Sequence, residues 1–211
     1  MSETTVSEAN NGSNSQPSNI SEVTIRLAGN SQDGIQSIGG FLARLAGRSE
    51  RDVMTMMTIP STISGGASIF QVRLGSGEVL SPGDKADVLF AFYQHSYDNH
   101  VANLAKGGVL VYDSDHVEPC EEWLTKYRHI GIAISSLTVE AIGGTARDKG
   151  KNIYALGLIA GMFSLDTTKL ERLINERFGS KSKSILKTAM DAFQAGCRYQ
   201  SNDISNLFRL A

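Results

Sequence analysis

Short segments with the pattern of β-strands alternate with helix-like segments over the first 135 residues, and this alternation restricts the possible folds most strongly. One of them, ADVLFAFY (86–93), is a nearly uninterrupted apolar run, which is typical of a strand covered on both faces. Another, ASIFQVRL (67–74), alternates and predicts a half-exposed strand with Gln71 and Arg73 on its open side. The remaining strand-like segments are VTIRLA (23–28), VMTMMT (53–58), GVLVYD (108–113) and HIGIAIS (129–135). We therefore expect an α/β fold, a three-layer sheet with flanking helices.

The helical segments follow a period of about 3.6 residues. IQSIGGFLARLAGR (35–48) has Ile35, Ile38, Leu42 and Leu45 on one face, and a short helix is expected around 96–105. Later helix-like segments, separated by Gly, Asp-Thr and Gly-Ser breaks, are TVEAIGGTAR, NIYALGLIAGMF, TKLERLINERF and SKSILKTAMDAFQAGCRY. They predict a helical C-terminal portion packed on the sheet.

The N-terminal end of the chain differs from the rest in composition. Residues 1–21 are mostly Ser, Asn, Thr, Glu and Gly, with too few apolar groups to offset the entropy of ordering, and they predict a disordered tail. We interpret residues 22–200 as one α/β domain and residues 201–211 as a C-terminal linker.

Charge and cysteine content exclude several classes of function. The chain has 20 Lys and Arg against 22 Asp and Glu in 211 residues, so no overall field attracts it to nucleic acid or an anionic membrane. Cys120 and Cys197 lie far apart and fit neither a disulfide framework nor an iron-sulfur or zinc site. No apolar run reaches about 18 residues and no signal peptide pattern begins the chain, so we expect a soluble cytoplasmic protein.

The loop after the first strand, in LAGNSQDGIQSIGG (27–40), is a candidate anion site. A Gly-containing turn between a strand and a helix offers free backbone N–H groups and the positive end of the helix dipole. Gly29, Ser31 and Gly34 lie where a dinucleotide-binding fingerprint has three glycines, but the middle one is Ser. The next strand also ends without an acidic residue for a ribose, at Thr58, which argues against an NAD site.

Two alternatives remain open for this loop. Asn30, Ser31 and Asp33 could simply cap the helix while the glycines let the chain turn. A second small-residue loop, STISGGAS (61–68), favours a ligand site, because loops at the same strand ends converge on one crevice. A plain Gly-rich connection is the alternative for that loop too.

Three further clusters are better explained without a ligand. DSDHVEPCEE (113–122) combines acids, a His and a Cys, but we interpret it as a solvated turn and assign no metal ligands. His95 and His100 flank a helix start and have no placed catalytic partner. The basic residues of the last helices predict a solvated face, with contact to coenzyme A phosphate or an acidic partner as the sharper hypothesis: Lys181, Lys183, Lys187 and Arg198.

Four segments in order carry a family resemblance: IRLAGNSQDGIQSIGG, SGGASIFQVRLGSGEVLSPGDKADVLFAF, LAKGGVLVYDSD and KGKNIYALGLIAG. Together they resemble the gamma domain of the 2-oxoacid:ferredoxin oxidoreductases from about Val23 to Tyr199. The AGNSQDG, FQVRLG and LSPGD forms are most similar to the 2-oxoglutarate branch, in which this domain begins the alpha subunit.

The resemblance implies a place in a larger enzyme. Such enzymes decarboxylate a 2-oxoacid on thiamine diphosphate with Mg, pass electrons through [4Fe-4S] clusters to ferredoxin, and transfer the acyl group to coenzyme A. This chain has no motif for thiamine diphosphate or the clusters, so the resemblance implies that a thiamine diphosphate-binding beta subunit and other domains are its partners. It assigns no catalytic residue here.

The resemblance also suggests coenzyme A as the ligand of the two loops. The residues expected to contact its phosphates or pantetheine arm are Gly29, Asn30, Ser31, Gln32, Asp33, Gly34, Ser64, Gly65 and Gly66. A purely structural assembly module without ligand contact is the alternative.

Overall fold

The computed structural model describes residues 18–60, 66–144, 150–199, 204 and 207–210. The strands within these residues are β1 (Ser18–Ile20), β2 (Glu22–Asn30), β3 (Asp52–Thr58), β4 (Ala67–Gly75), β5 (Ala86–Ala91), β6 (Leu104–Asp113), β7 (Arg128–Ile132) and β8 (Phe208–Leu210). The α-helices are α1 (Ile35–Gly47), α2 (Gln94–His100), α3 (Glu121–Leu124), α4 (Ile134–Ile142), α5 (Lys151–Met162), α6 (Thr167–Phe178) and α7 (Lys183–Arg198). The predicted α/β class is confirmed.

Six strands form the main sheet, in the order β3-β4-β2-β5-β6-β7. β4 runs antiparallel to both of its neighbours, and the pairs β2-β5, β5-β6 and β6-β7 are parallel. Residues 76–85 cross over β2, because β4 and β5 each pair with β2 and not with one another.

Helices cover the sheet on both faces, which buries the apolar run of β5 as predicted. Val88 and Phe90 of β5 face the larger core, formed with α1, α5, α6 and α7. Leu89 and Ala91 face a smaller core, formed with α2 and the segment after β6. The helical C-terminal portion therefore packs on one face of the sheet, as expected.

The prediction that β4 is half exposed is wrong at Gln71, whose side chain is completely buried. Arg26 Nε donates to Gln71 Oε1 at 2.7 Å. Gln71 Nε2 lies 2.5 Å from the carbonyl oxygen of Pro82 and 2.6 Å from that of Gly83. The crossing segment 76–85 covers this polar pair, and its carbonyl groups satisfy the buried amide.

The helix expected around 96–105 ends earlier. α2 stops at His100, a 3-10 turn follows over Val101–Asn103, and β6 begins at Leu104. Leu104 pairs with Ala86 of β5 and is buried in the smaller core, so sheet pairing extends the strand beyond its apolar run. The segment expected as a strand to Ser135 is also shorter, because α4 begins at Ile134.

The chain ends contribute a second small sheet, in which β1 and β8 pair in parallel. Residues 18–20 belong to the predicted tail and residues 208–210 to the predicted linker, and the structure places both in this pair instead. Within the described ranges, no helix is both long and apolar enough to cross a membrane.

Candidate functional site at the carboxyl edge of the sheet

The carboxyl ends of β2, β5, β6 and β7 lie at one edge of the sheet, which brings the segments that follow these strands together; we call this region the crevice. In open α/β sheets, ligands bind at such an edge. The crevice includes the predicted loop after β2, residues 93–95 after β5, the end of β6 and the start of α5.

The loop after β2 satisfies part of its own hydrogen bonding. The backbone N–H of Asn30 donates to Asp33 Oδ2 at 3.1 Å. Residues Ser31–Asp33 form a 3-10 turn, and Gly34 then adopts a φ of 71° before α1 begins. Asp33 therefore engages an N–H that a bound anion would otherwise use, which supports the capping alternative at this position.

Both loop glycines have packing reasons of their own. A Cβ at Gly29 would lie 2.5 Å from Ile35 Cδ1. A Cβ at Gly34 would lie 2.4 Å from Nδ2 of Asn152, and the positive φ disfavours any side chain there. The absence of side chains lets the loop pack against α1 and the first turn of α5.

The two predicted loops meet at Gly66. The backbone N–H of Ser31 donates to the carbonyl oxygen of Gly66 at 3.0 Å, immediately before β4. Gln32 is exposed beside this junction. The structure thus brings the predicted residues 29–34 together with Gly66, while Ser64 and Gly65 lie outside the described residues.

A lysine on α5, which the sequence reasoning missed, supplies a positive charge in this crevice. Lys151 Nζ lies 3.3 Å from the Tyr93 hydroxyl and 3.5 Å from Asp113 Oδ2, and 4.3 Å above the Tyr93 ring. Burial, reinforced by the nearby carboxylate of Asp33, raises the pKa of Tyr93 to about 12. Tyr93 therefore stays protonated and links the loop after β2 to Lys151.

The carboxylate of Asp113 at the end of β6 is fully buried. Ser135 Oγ donates to Asp113 Oδ2 at 2.6 Å, and the N–H of Ser135 lies 3.3 Å from Oδ1. The interpretation of residues 113–122 as a solvated turn is therefore wrong at Asp113, because α4 and Lys151 enclose its carboxylate. Within the described residues, no group of three or more His, Cys, Asp or Glu is placed to share a metal ion.

Histidines surround Tyr93 without forming a catalytic pair. The His95 ring stacks on Tyr93 at 5.6 Å between centroids, and the His116 ring lies 5.5 Å from it. Burial and the neighbouring charge of Arg26 lower the pKa of His100. No described carboxylate bonds to these imidazoles, so the structure gives none of them a catalytic carboxylate partner.

The basic residues of the last helices have ordinary surface surroundings. Lys187 Nζ pairs with Asp191 at 2.5 Å along α7, and Lys181 lies 5.5 Å above the Phe178 ring. These contacts fit the expected solvated helix face.

Sequence reasoning missed two residues of the crevice, Asp113 and Lys151, and only the first had a signal in the sequence. Asp113 ends a buried parallel strand, which is where α/β proteins place polar site residues. Lys151 gave no signal, because its contacts with Tyr93 and Asp113 join residues separated by 58 and 38 positions in the chain.

Comparisons with known proteins identify the family of the chain. Residues 24–199 match the protein family described as pyruvate ferredoxin/flavodoxin oxidoreductase. The 2-oxoglutarate oxidoreductase subunit KorA of Mycobacterium tuberculosis is 30% identical over 204 residues, covering 85% of this chain and 31% of that subunit. The 2-oxoglutarate synthase subunit KorC of Archaeoglobus fulgidus is 24% identical over 178 residues, covering 84% of this chain and 89% of that subunit.

A solved structure extends the comparison to three dimensions. The 2-oxoglutarate:ferredoxin oxidoreductase of Magnetococcus marinus, solved with 2-oxoglutarate, coenzyme A and succinyl-CoA bound, matches with a TM-score of 0.80 and 28% identity. The match covers 91% of this chain and 33% of that one, so the chain spans about a third of this relative, as it does of KorA. On the family match over most of its length, the chain belongs to the pyruvate ferredoxin/flavodoxin oxidoreductase family.

Proposed function

We propose that the chain is the gamma-type domain or subunit of a 2-oxoacid:ferredoxin oxidoreductase that uses 2-oxoglutarate. The complete enzyme oxidatively decarboxylates the 2-oxoacid to acyl-CoA and CO2 and reduces ferredoxin. The observation that carries this proposal is the family match over residues 24–199, together with relatives that are themselves 2-oxoglutarate enzymes. Thiamine diphosphate, Mg and the [4Fe-4S] clusters belong to other domains or subunits.

Within that enzyme, the crevice contributes to coenzyme A binding through residues 29–34 and 64–66. Among the described residues, Asp33 and Asp113 outnumber the one cation that contacts the crevice cluster, Lys151. A site with this charge balance suits the uncharged amides of the pantetheine arm better than the phosphates. Gln32 is exposed at the loop and can exchange amide hydrogen bonds with that arm.

A purely structural assembly module is the second candidate. The N–H groups of Asn30 and Ser31 are already bonded within the chain. The packing of Gly29 and Gly34 also accounts for both glycines without a ligand. These observations support a loop that only shapes a turn and an interface.

Steady-state kinetics of the assembled enzyme separate the two candidates. A coenzyme A contact predicts that Gln32→Ala raises the KM for coenzyme A about two- to tenfold, the value of one hydrogen bond, and leaves the KM for 2-oxoglutarate unchanged. Ser180→Ala, at an exposed position after α6, is the matched control. Unchanged constants for both substrates in Gln32→Ala would favour the assembly module.

Membership of a larger enzyme is tested by purification. An affinity-tagged chain should co-purify from its native cells with a subunit that carries thiamine diphosphate and iron-sulfur clusters. The isolated chain should not oxidise 2-oxoglutarate with a viologen acceptor. Turnover by the isolated chain, or an active complex that lacks it, would refute this assignment.

A further inference from the structure

A groove between α1 and α6 lies outside the crevice and has a basic lining. Its volume is about 240 Å³, and it is lined by Gln36, Ser37, Gly40, Phe41, Arg44 and Arg177. We call it the α1–α6 groove.

The arginines of the α1–α6 groove are available to a ligand. Arg48 binds the neighbouring carboxylate of Glu176 through two nitrogens, at 3.0 and 3.3 Å. That pairing lowers the pKa of Glu176, and the charges of Arg172 and Arg44 lower it further. Among the described residues, the side chains of Arg44 and Arg177 form no hydrogen bond or salt bridge, so the nearby acid is engaged while both guanidinium groups remain exposed.

The lining and the volume of the groove suit a small anion. Guanidinium groups bind phosphate oxygens through two parallel N–H donors, and the side chains of Ser37 and Gln36 add neutral donors. A Cβ built on Gly40 meets no atom within 4 Å, so this part of the lining is open. The volume lies below the roughly 300–1,000 Å³ of sites for drug-sized ligands. The space therefore suits a phosphate or diphosphate group rather than a whole cofactor.

From this lining we infer that the α1–α6 groove binds a phosphate or diphosphate group. Gln36 and Ser37 belong to the first turn of α1, which follows the crevice loop directly in the chain, so one end of the groove lies next to that loop. The phosphate belongs either to the nucleotide end of coenzyme A or to a free inorganic anion. The first source rests on the proposed function; the second does not.

Calorimetric titration of the full 211-residue chain with inorganic diphosphate tests the inference. The wild-type chain should bind saturably, and replacing both Arg44 and Arg177 by Gln should weaken binding about tenfold or more. Arg172→Gln removes the same charge from α6 but at a side chain that lines a different groove, and should change affinity less than about twofold. Absence of saturable binding, or equal losses in all variants, would overturn the inference.

A steric variant gives an independent check. Gly40→Glu places a carboxylate in the open part of the groove without a clash, so it should abolish diphosphate binding while the melting temperature stays at or above the wild-type value. A Gly40→Glu chain that is folded and binds diphosphate as wild type does would contradict the inference.

Competition identifies the source of the phosphate. Displacement of diphosphate by coenzyme A but not by pantetheine would assign the groove to the nucleotide end of coenzyme A. Diphosphate binding that is unaffected by coenzyme A would assign the α1–α6 groove to a free anion. That result would still support the groove as a phosphate site. Loss of diphosphate binding in the arginine variants is independent of the KM test at Gln32, so the two proposals can fail separately.

Discussion

Gly157 of α5 and Gly196 of α7 face each other where the two helices cross. A Cβ on Gly196 would lie 3.1 Å from the Cα of Gly157 and 2.1 Å from the carbonyl oxygen of Tyr154. A Cβ on Gly157 would lie 2.3 Å from the carbonyl oxygen of Phe193. The two backbones therefore approach without intervening side chains, and this contact fixes α5, whose first turn carries Lys151 into the crevice.

Gly157→Ala should destabilise the chain by about 3 kcal/mol or more, because the added methyl group collides with backbone that cannot move without separating the helices. Gly161→Ala, one turn later on α5, is the matched control, since its Cβ comes no closer than 3.9 Å to Cys197. That variant should be neutral or stabilised by about 0.5–1 kcal/mol. Urea unfolding measures both, and similar values would show that the helices are not in close contact here.

Asp113→Ala should cost about 3–5 kcal/mol, because it removes the buried acceptor of Ser135 and leaves Lys151 without its carboxylate. Asp115→Ala is the control at a neighbouring exposed position, where the lost bonds to Ser136 should cost about 1 kcal/mol. Thermal unfolding of both variants measures the two losses of stability. A smaller loss for Asp113→Ala than for Asp115→Ala would contradict the buried cluster.

Stability should decline at alkaline pH through two tyrosines. Burial raises the pKa of both Tyr93 and Tyr154 to about 12, from 10.0 for a free tyrosine. The unfolded chain then loses these protons first, so the contribution is complete below pH 10 and is lost as the pH rises towards 12. Denaturant unfolding across this range should show a shallower decline when both tyrosines are replaced by Phe. An equally steep decline in that double variant would assign the effect to other groups.

Gly34→Ala should destabilise the chain by about 1–3 kcal/mol even without a ligand, owing to the positive φ and the contact with Asn152. In an Asn152→Ala background the contact disappears and the strain of φ remains, so the same substitution should cost less. A double-mutant cycle of unfolding free energies measures the difference. If Gly34→Ala costs the same in both backgrounds, the contact with Asn152 contributes nothing. This stability effect is why Gln32, which is exposed, is the better probe of coenzyme A.

The sequence by itself determined the local elements and the class of fold. Apolar runs and a 3.6-residue period predicted β2 to β5 and α1 to within a few residues, because both patterns record which face of a segment is buried. The glycines of the β2–α1 loop were visible for the same local reason, since they stand where a strand turns into a helix.

Only the tertiary structure decided which polar residues from distant parts of the chain lie in contact. Gln71 is polar yet buried, because Arg26 and the segment 76–85 satisfy its amide from elsewhere in the chain. The cluster of Lys151, Tyr93 and Asp113 likewise joins three elements that only strand order and helix packing bring to one edge. A local pattern shows which side of a segment is apolar, but not which distant polar group faces it. Those contacts depend on how the paired strands and packed helices position their ends in space.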